Sequence, residues 1–131
     1  MHKGTCLCGA VEYEIIGPLG RVLLCHCSRC RKANGSAFSA ISPVATSDFR
    51  IIKGQESLRS YSTDAGVHRM FCGTCGSQII GKRDSMPETV RVRIGTLDTP
   101  LESGISAHIF VGSKAEWYEI HDDLPQHEER P

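Results

Sequence analysis

The sequence predicts a mainly β fold, and three observations carry that prediction. Several segments alternate apolar and polar residues with a period of two, which is typical of a strand that buries one face. Thirteen glycines and six prolines interrupt these segments at short intervals, as turns do in all-β domains. Helical periodicity is almost absent, which disfavours the helical fold classes.

The first predicted elements come from the N-terminal third of the chain. Ala10–Ile16 is predicted as a strand because three apolar residues alternate with two glutamates. Ser28–Asn34 is the best helix candidate, since Ser28 fits the N-cap position and Gly35 fits the end of a helix.

The later elements are all predicted strands. In Thr89–Ile94, the apolar residues oppose Arg91 and Arg93. In Ile105–Val111, four apolar residues oppose a polar side that includes His108. Shorter strand candidates, in chain order, are Arg21–Cys25, Ala37–Ile41, Phe49–Lys53, Leu58–Ser62, His68–Cys72 and Gln78–Lys82.

Length and organisation favour one domain. A chain of 131 residues fits a single domain, residues 1–131, and we find no repeat, low-complexity linker or domain boundary. The segment His121–Pro131 is polar, so we expect it to lie on the surface or to fray.

Charge and hydropathy exclude two classes of partner. Fifteen Lys and Arg balance fifteen Asp and Glu, so the basic excess of a protein that binds nucleic acid is missing. The longest apolar run is four residues, Val22–Cys25, whereas a membrane-spanning helix needs roughly 20. The first residues carry no apolar signal segment, so we expect a cytoplasmic protein.

The cysteines stand out from this ordinary composition. There are seven, an odd number, and without a visible export signal we expect reduced thiols that are free to bind metal. They form three sequence clusters: Cys6-x-Cys8, Cys25-x-Cys27-x-x-Cys30 and Cys72-x-x-Cys75. Zinc prefers four tetrahedral ligands, and closely spaced cysteine pairs are a common way to supply them.

Seven ligands divide naturally into four and three. Two pairs, Cys6 with Cys8 and Cys72 with Cys75, would complete a closed structural zinc site. The remaining triplet, Cys25, Cys27 and Cys30, would hold a second zinc with one open coordination position, which is typical of catalytic zinc sites.

Spacing alone leaves other arrangements open. Cys25 and Cys27 could instead join Cys72 and Cys75 in one site. A histidine could close the triplet into a second structural site, or its thiols could be core residues without metal.

A zinc ion with three thiolates favours a thiol substrate. Three thiolates give the zinc centre a net charge of −1, so a water molecule bound to this zinc is less acidic than one bound to a zinc with imidazole ligands. A thiol that binds zinc, by contrast, is deprotonated outright. Arg29, Arg31 and Lys32 could balance the negative charge and bind the substrate. A helix starting at Ser28 would also direct its positive end at the triplet.

These motifs resemble one known family. The matching segments are Cys6-Leu7-Cys8-Gly9-Ala10-Val11, Cys25-His26-Cys27-Ser28-Arg29-Cys30-Arg31-Lys32 and Phe71-Cys72-Gly73-Thr74-Cys75-Gly76-Ser77. They resemble the glutathione-dependent formaldehyde-activating enzymes, a family that also contains centromere protein V. The resemblance runs from about residue 4 to residue 125 and also covers Gly95-Thr96-Leu97-Asp98 and His108-Ile109.

The resemblance implies a fold, a metal content and a reaction. The fold would be a single β-tent domain with two zinc ions, a structural one on Cys6, Cys8, Cys72 and Cys75 and a catalytic one on Cys25, Cys27 and Cys30. The reaction would be that of a carbon–sulfur lyase that joins glutathione and formaldehyde into S-hydroxymethylglutathione. The partners would therefore be a small-molecule thiol and an aldehyde.

Further site residues and functions follow as expectations. His108 could reach the open zinc position as a proton donor. Cations that could bind the carboxylates of glutathione are Arg29, Arg31, Lys32, Arg50, Lys53, Arg59 and Arg69. Two other hypotheses use the same cysteines: a module that binds a thiol without turning it over, and a zinc-stabilised domain that binds a protein partner. The oligomeric state is not predicted.

Overall fold

Two β-sheets make up most of the computed structural model, which describes residues 1–131. The mainly β prediction is confirmed. The strands, in chain order, are β1 His2–Thr5, β2 Glu12–Ile15, β3 Leu23–Cys25, β4 Ser39–Ala45, β5 Phe49–Lys53, β6 Leu58–Ser62, β7 Val67–Cys72, β8 Gln78–Arg83, β9 Thr89–Arg93 and β10 Ala107–Ile109. One α-helix, α1, spans Ser28–Asn34.

The small sheet has the order β1-β2-β5, and the large sheet has the order β10-β3-β4-β9-β8-β7-β6. Neighbouring strands are antiparallel throughout, except that β10 runs parallel to β3 at one edge of the large sheet. The segment between β3 and β4 carries α1, so the helix lies close to the edge of the large sheet that β3 and β10 form.

The main core fills the space between the two sheets. Tyr13 and Ile15 of β2 pack there with Val90 and Val92 of β9, and all four are buried. Because side chains alternate along a strand, Arg91 and Arg93 project from the opposite face of β9. The large sheet therefore has one face that packs against the core and one that carries arginines.

Strand β1 was not predicted, and its pairing with β2 explains why. Gly4 is opposite Tyr13, and a Cβ on Gly4 would lie 2.2 Å from the tyrosine ring. The strand forms because Gly4 lets the ring of Tyr13 cover it, and not because β1 itself alternates apolar and polar residues. Its residues therefore carried no periodic signal.

Helix α1 has the predicted bounds, but its N-cap lies one residue earlier than the sequence indicated. Its N-cap is Cys27 instead of Ser28, and the thiol of Cys27 accepts a hydrogen bond from the backbone N–H of Cys30. Gly35 ends the helix in the left-handed conformation at φ 61°, as predicted. No helix of the structure has the length and apolar character to cross a membrane.

The C-terminal segment, residues 121–131, lies mostly on the surface, which is one of the two alternatives expected for it. Its backbone pairs with β10: the N–H of His108 donates to the carbonyl of Pro125, and the N–H of His127 donates to the carbonyl of His108. The N–H of Phe110 donates to the carbonyl of Glu129 in the same way. Because β10 is an edge strand, its outer backbone groups are free to order a polar tail that has no apolar face of its own.

Candidate metal centres and their cavity

The structure groups the seven thiols as four and three. Within each group, all sulfur atoms lie within 4.8 Å of one another. The first group is Cys6, Cys8, Cys72 and Cys75, and the second is Cys25, Cys27 and Cys30. No disulfide forms. The alternative in which Cys25 and Cys27 join the pair at 72 and 75 does not match this geometry.

The four-cysteine group has the dimensions of a tetrahedral zinc site. The sulfur of Cys8 lies 3.7 Å from that of Cys6 and 3.8 Å from that of Cys72. Four ligands at the usual Zn–S distance of about 2.3 Å would lie about 3.8 Å apart. These distances fit a zinc ion and exclude S–S bonds, which are about 2.05 Å long.

Nearby polar groups favour the charged form of two of these thiols, Cys6 and Cys75, whose pKa values are lowered. The backbone N–H of Val11 donates to the sulfur of Cys6 over 3.2 Å. The hydroxyl of Ser77 lies 3.3 Å from the sulfur of Cys75. This hydroxyl, followed by the backbone N–H of the same residue, lowers the pKa of Cys75 to about 5. Thiolates are the form that binds a metal ion, so the hydrogen bonds fit the metal-ligand role.

The three-cysteine group lies where β3 runs into α1. Cys25 ends the strand, Cys27 caps the helix, and Cys30 lies in its first turn with its thiol buried. Hydrogen bonds from the thiols of Cys25 and Cys30, and then from backbone N–H groups of the helix start, hold the pKa of Cys27 well below its usual range. The same thiol contacts, together with burial, raise the pKa of Cys25. One thiolate is thus favoured even before a cation binds.

The three-cysteine group opens into a large cavity, and the four-cysteine group does not line it. The cavity has a volume of about 810 Å³ and includes Cys25, Cys27 and Cys30 in its wall. No histidine or carboxylate lies close enough to complete the three-sulfur set. The cationic lining of the cavity consists of Arg29, Lys32, Arg69, Arg83, Arg91, Arg93 and Arg130, and no acidic residue lines it.

The floor of the cavity is the arginine-bearing face of the large sheet. Strand pairing places five residues in one row across β4, β9, β8, β7 and β6: Pro43, Arg91, Gly81, Arg69 and Tyr61. Four of them line the cavity, and the fifth, Gly81, has no side chain. The glycine leaves room above the sheet for the neighbouring guanidinium groups.

Of the two arginines of β9, Arg93 is buried and Arg91 is partly buried. Arg93 is only 6% exposed, and burial lowers its pKa, although the nearby Cys30 thiolate opposes that effect. Burial, followed by the charge of Arg83, lowers the pKa of Arg91 to about 10. Guanidinium groups are not deprotonated in proteins, so the floor is cationic at neutral pH.

The sequence predicted only part of the cationic lining. Arg29, Lys32 and Arg69 line the cavity, whereas Arg31, Arg50, Lys53 and Arg59 do not. Arg31 points elsewhere because positions 29, 32 and 33 share the cavity face of α1. Sequence analysis missed Arg83, Arg91, Arg93 and Arg130 as site residues. Alternation did place Arg91 and Arg93 on one face of β9, but this face was not recognised as a cavity wall.

His108 is separated from the cavity by its own strand. Its neighbour Ile109 lines the cavity, and His108 does not. His108 is instead buried between Asp122, 3.0 Å from its Nε2, and His26, whose Nε2 lies 2.8 Å from its Nδ1. An ionised Asp122 can only accept, so Nε2 of His108 donates to it. Burial lowers the pKa of His26 to about 4, which keeps this imidazole neutral at neutral pH.

The histidine chain supports the loop that presents the cysteines. His26 lies between Cys25 and Cys27 and points to the opposite side from their thiols, against His108 and the ring of Phe38. The structure therefore places His108 behind the three-cysteine group and not at its open side.

Comparison with known proteins gives matches over most of the chain. Residues 1–113 match the family described as glutathione-dependent formaldehyde-activating enzyme. A Sordaria macrospora protein whose name carries the same description is 33% identical over 58 residues, which is 44% of this chain and 24% of that protein. The match thus spans about a quarter of the length of that curated relative.

A solved structure is similar over a larger part of the chain. The crystal structure of a Rhodobacter sphaeroides protein is 33% identical, with a TM-score of 0.64, over 75% of this chain and 89% of that one. With 113 of 131 residues covered by the family match, and with both cysteine groups assembled in space, the chain belongs to the glutathione-dependent formaldehyde-activating enzyme family.

Proposed function

We propose that this protein joins a thiol to a small aldehyde at the three-cysteine group, as a carbon–sulfur lyase. Glutathione and formaldehyde are the substrates in the name of its family. The observation that carries the proposal is that the thiols of Cys25, Cys27 and Cys30 converge in the wall of a cavity of about 810 Å³. A volume of this size is within the usual range for small-molecule sites.

We further propose that each cysteine group holds a zinc ion. The distances between the sulfur atoms of the four-cysteine group fit a zinc ion. In the three-cysteine group, hydrogen bonds from the other two thiols favour a thiolate at Cys27, which is the form that binds zinc. When bound by Cys25, Cys27 and Cys30, zinc would supply an open position that favours the deprotonated form of a thiol. The other ion would hold the fold together.

The cationic lining would orient the thiol compound. Glutathione carries two carboxylates, and guanidinium groups bind carboxylates with paired hydrogen bonds. The sulfur of the thiolate would attack the aldehyde carbon, forming the C–S bond while the C=O π electrons move to oxygen, which then takes a proton from water. Guanidinium groups in the cavity would stabilise the negative charge as it develops on that oxygen.

The cavity also favours a second candidate, a module that binds a thiol without turning it over. None of the cavity-lining residues is a histidine, an aspartate or a glutamate, the usual general acids and bases. His108, the proton donor expected from the sequence, lies behind its strand. Such a module would bind glutathione saturably and leave the rate of adduct formation unchanged.

Exchange NMR of glutathione with formaldehyde tests the two candidates. Adduct exchange faster than the spontaneous reaction, and lost in Cys27→Ser, would support the lyase. Arg59→Gln is the matched control, because Arg59 is exposed, lies outside the cavity and donates only to backbone carbonyls. A wild-type rate equal to the spontaneous one would reject the lyase, and glutathione binding measured by calorimetry would then support the binding module.

A further inference from the structure

The cationic lining lacks partners within the protein. The ion pairs of the structure join other groups: Arg50 to Glu14, His68 to Asp84, His108 to Asp122 and His121 to Glu119. Arg93 is nearly buried and takes part in no ion pair, and the Nε of Arg83 is buried without a hydrogen-bond partner. Buried charges in proteins are normally paired, because removing them from water is costly. The missing anions are therefore expected on a ligand.

The guanidinium groups of Arg91 and Arg93 converge on one point of the cavity floor. An Nη atom of Arg93 lies 2.7 Å, and one of Arg91 lies 3.4 Å, from the place that a Cβ on Gly81 would occupy. Two like charges held this close over a bare backbone repel each other. A single anionic group above Gly81 would be within reach of both and would relieve the repulsion.

The charge of the lining exceeds what glutathione supplies. Six arginines and one lysine line the cavity. Arg29, Lys32 and Arg130 are exposed, whereas the other four arginines are at least partly buried. A zinc ion on three thiolates offsets one of these charges, and glutathione with a bound thiolate has two carboxylates, one sulfur charge and one opposing ammonium. The excess of positive charge points to a more anionic compound.

We propose that the compound bound beside the three-cysteine group carries a doubly charged oxyanion group, held by Arg91, Arg93 and Arg83 above Gly81. A phosphate monoester and two neighbouring carboxylates share this chemistry. The inference rests on the proposed thiol and aldehyde function for the identity of the site and adds the substrate class to it.

The C-terminal tail extends this anion site beyond the part of the chain that matches the family. Arg130 lies outside residues 1–113 and reaches the cavity because the tail pairs with β10. Its guanidinium carbon lies 5.7 Å from the centre of the Phe110 ring, which also lines the cavity. The tail therefore adds a cation at the same cavity.

Calorimetric titration of the metal-loaded protein with inorganic phosphate and with malonate tests the inference. We expect at least one of them to bind, with affinity about tenfold lower in Arg93→Gln, since a hydrogen bond to a charged group is worth about one factor of ten or more. Arg59→Gln is expected to bind like the wild type. Preference for phosphate indicates a phosphate ester, and preference for malonate indicates a dicarboxylate.

Absence of binding by both anions, or equal binding by wild type and Arg93→Gln, would overturn the inference. Arg91→Gln serves the same test if Arg93→Gln does not fold, because Arg91 is only partly buried. Anion binding is measured without thiol or aldehyde, so its failure is distinct from failure of the proposed reaction. Adduct formation that phosphate does not inhibit would support the reaction and reject the anion site.

Discussion

An Nη atom of Arg93 lies 2.7 Å from the position that a Cβ on Gly81 would occupy. This contact joins β9 to β8 across the cavity floor and is possible only because residue 81 has no side chain. It places the guanidinium of Arg93, a residue that is 6% exposed, in the same cavity as Cys25, Cys27 and Cys30. The three-cysteine group and the cationic floor built by strand pairing thus line the same cavity.

Gly81→Ala is expected to weaken anion binding severalfold while the protein remains folded. The new Cβ would displace the far end of a flexible side chain and not the backbone. Gly20→Ala is the matched control, because a Cβ there would meet nothing within 4 Å. Phosphate titration and thermal unfolding of both variants check this. Unchanged phosphate affinity in Gly81→Ala would show that the position of Arg93 over this glycine does not matter.

The two cysteine groups are expected to differ in their effect on stability. Cys72→Ser should prevent folding or lower the melting temperature sharply, since a structural zinc contributes on the order of 10 kcal/mol, comparable with the net stability of a domain. Cys72 is fully buried in the main core, whereas Cys27 is only partly buried at the helix start. Cys27→Ser should therefore lower the melting temperature by only a few degrees.

Metal content and thermal unfolding, measured on the same samples, check this pair. The wild type should hold two metal ions per chain, and folded Cys27→Ser should keep the one at the four-cysteine group. Similar melting temperatures for wild type and Cys72→Ser would contradict the structural role of that group.

Tyr13 should give the protein an alkaline limit of stability. Burial raises its pKa to about 12 from an ordinary value of 10. Between pH 10 and pH 12, the folded state therefore keeps the tyrosine proton while the unfolded state loses it. The contribution of Tyr13 to the free energy of unfolding is fully present below pH 10 and is lost as the pH rises towards 12. It amounts to about 3 kcal/mol.

Tyr13→Phe tests this dependence. The variant loses the hydrogen bond between the hydroxyls of Tyr13 and Thr96, 2.8 Å apart, at a cost of about 1 kcal/mol at neutral pH. Denaturant unfolding between pH 9 and 12 should show a smaller decrease for the variant than for the wild type. Parallel pH profiles would mean that another group sets the alkaline limit.

His108→Gln should loosen metal binding at the three-cysteine group. Mutation of the hydrogen-bond partners that surround a metal site typically lowers metal affinity by about 10–100-fold. His108 holds His26, which lies between two of the cysteines, and Asp122 fixes His108 in turn. Competition with a chelator should release one metal ion more easily from the variant and leave the other unchanged.

The exposed His121 provides the control, His121→Gln, which should keep both ions. Unchanged metal affinity in His108→Gln together with loss of adduct formation would instead favour the proton-donor role that the sequence indicated for His108.

Local patterns predicted much of the fold. Strands β5 and β6 and helix α1 have the predicted bounds, because alternation and a glycine end signal act within a few residues. Strand β1 escaped prediction because it depends on the ring of Tyr13 covering Gly4. The pairing of residues 121–131 with β10 was not predicted either, because it depends on an edge strand that lies outside this segment.

The candidate site shows the same division between local and distant information. The number of cysteines and the four ligands that zinc prefers predicted the division into four and three, whereas spacing alone left other arrangements open. The polar face of β9 was visible in the alternation of Arg91 and Arg93, but its role as a cavity floor depends on α1 and on the tail that carries Arg130. The placement of His108 was not predictable, because the sequence does not show which side of β10 faces the cysteines.

The visible absorption spectrum of the cobalt-substituted protein tests most directly whether the three-cysteine group holds a metal ion that can accept an external thiol. The protein should bind two cobalt ions per chain, and added glutathione should increase the sulfur-to-cobalt charge-transfer band of one of them, with no such change in Cys27→Ser. A spectrum that glutathione leaves unaltered, or a wild type that binds only one ion, would contradict the account.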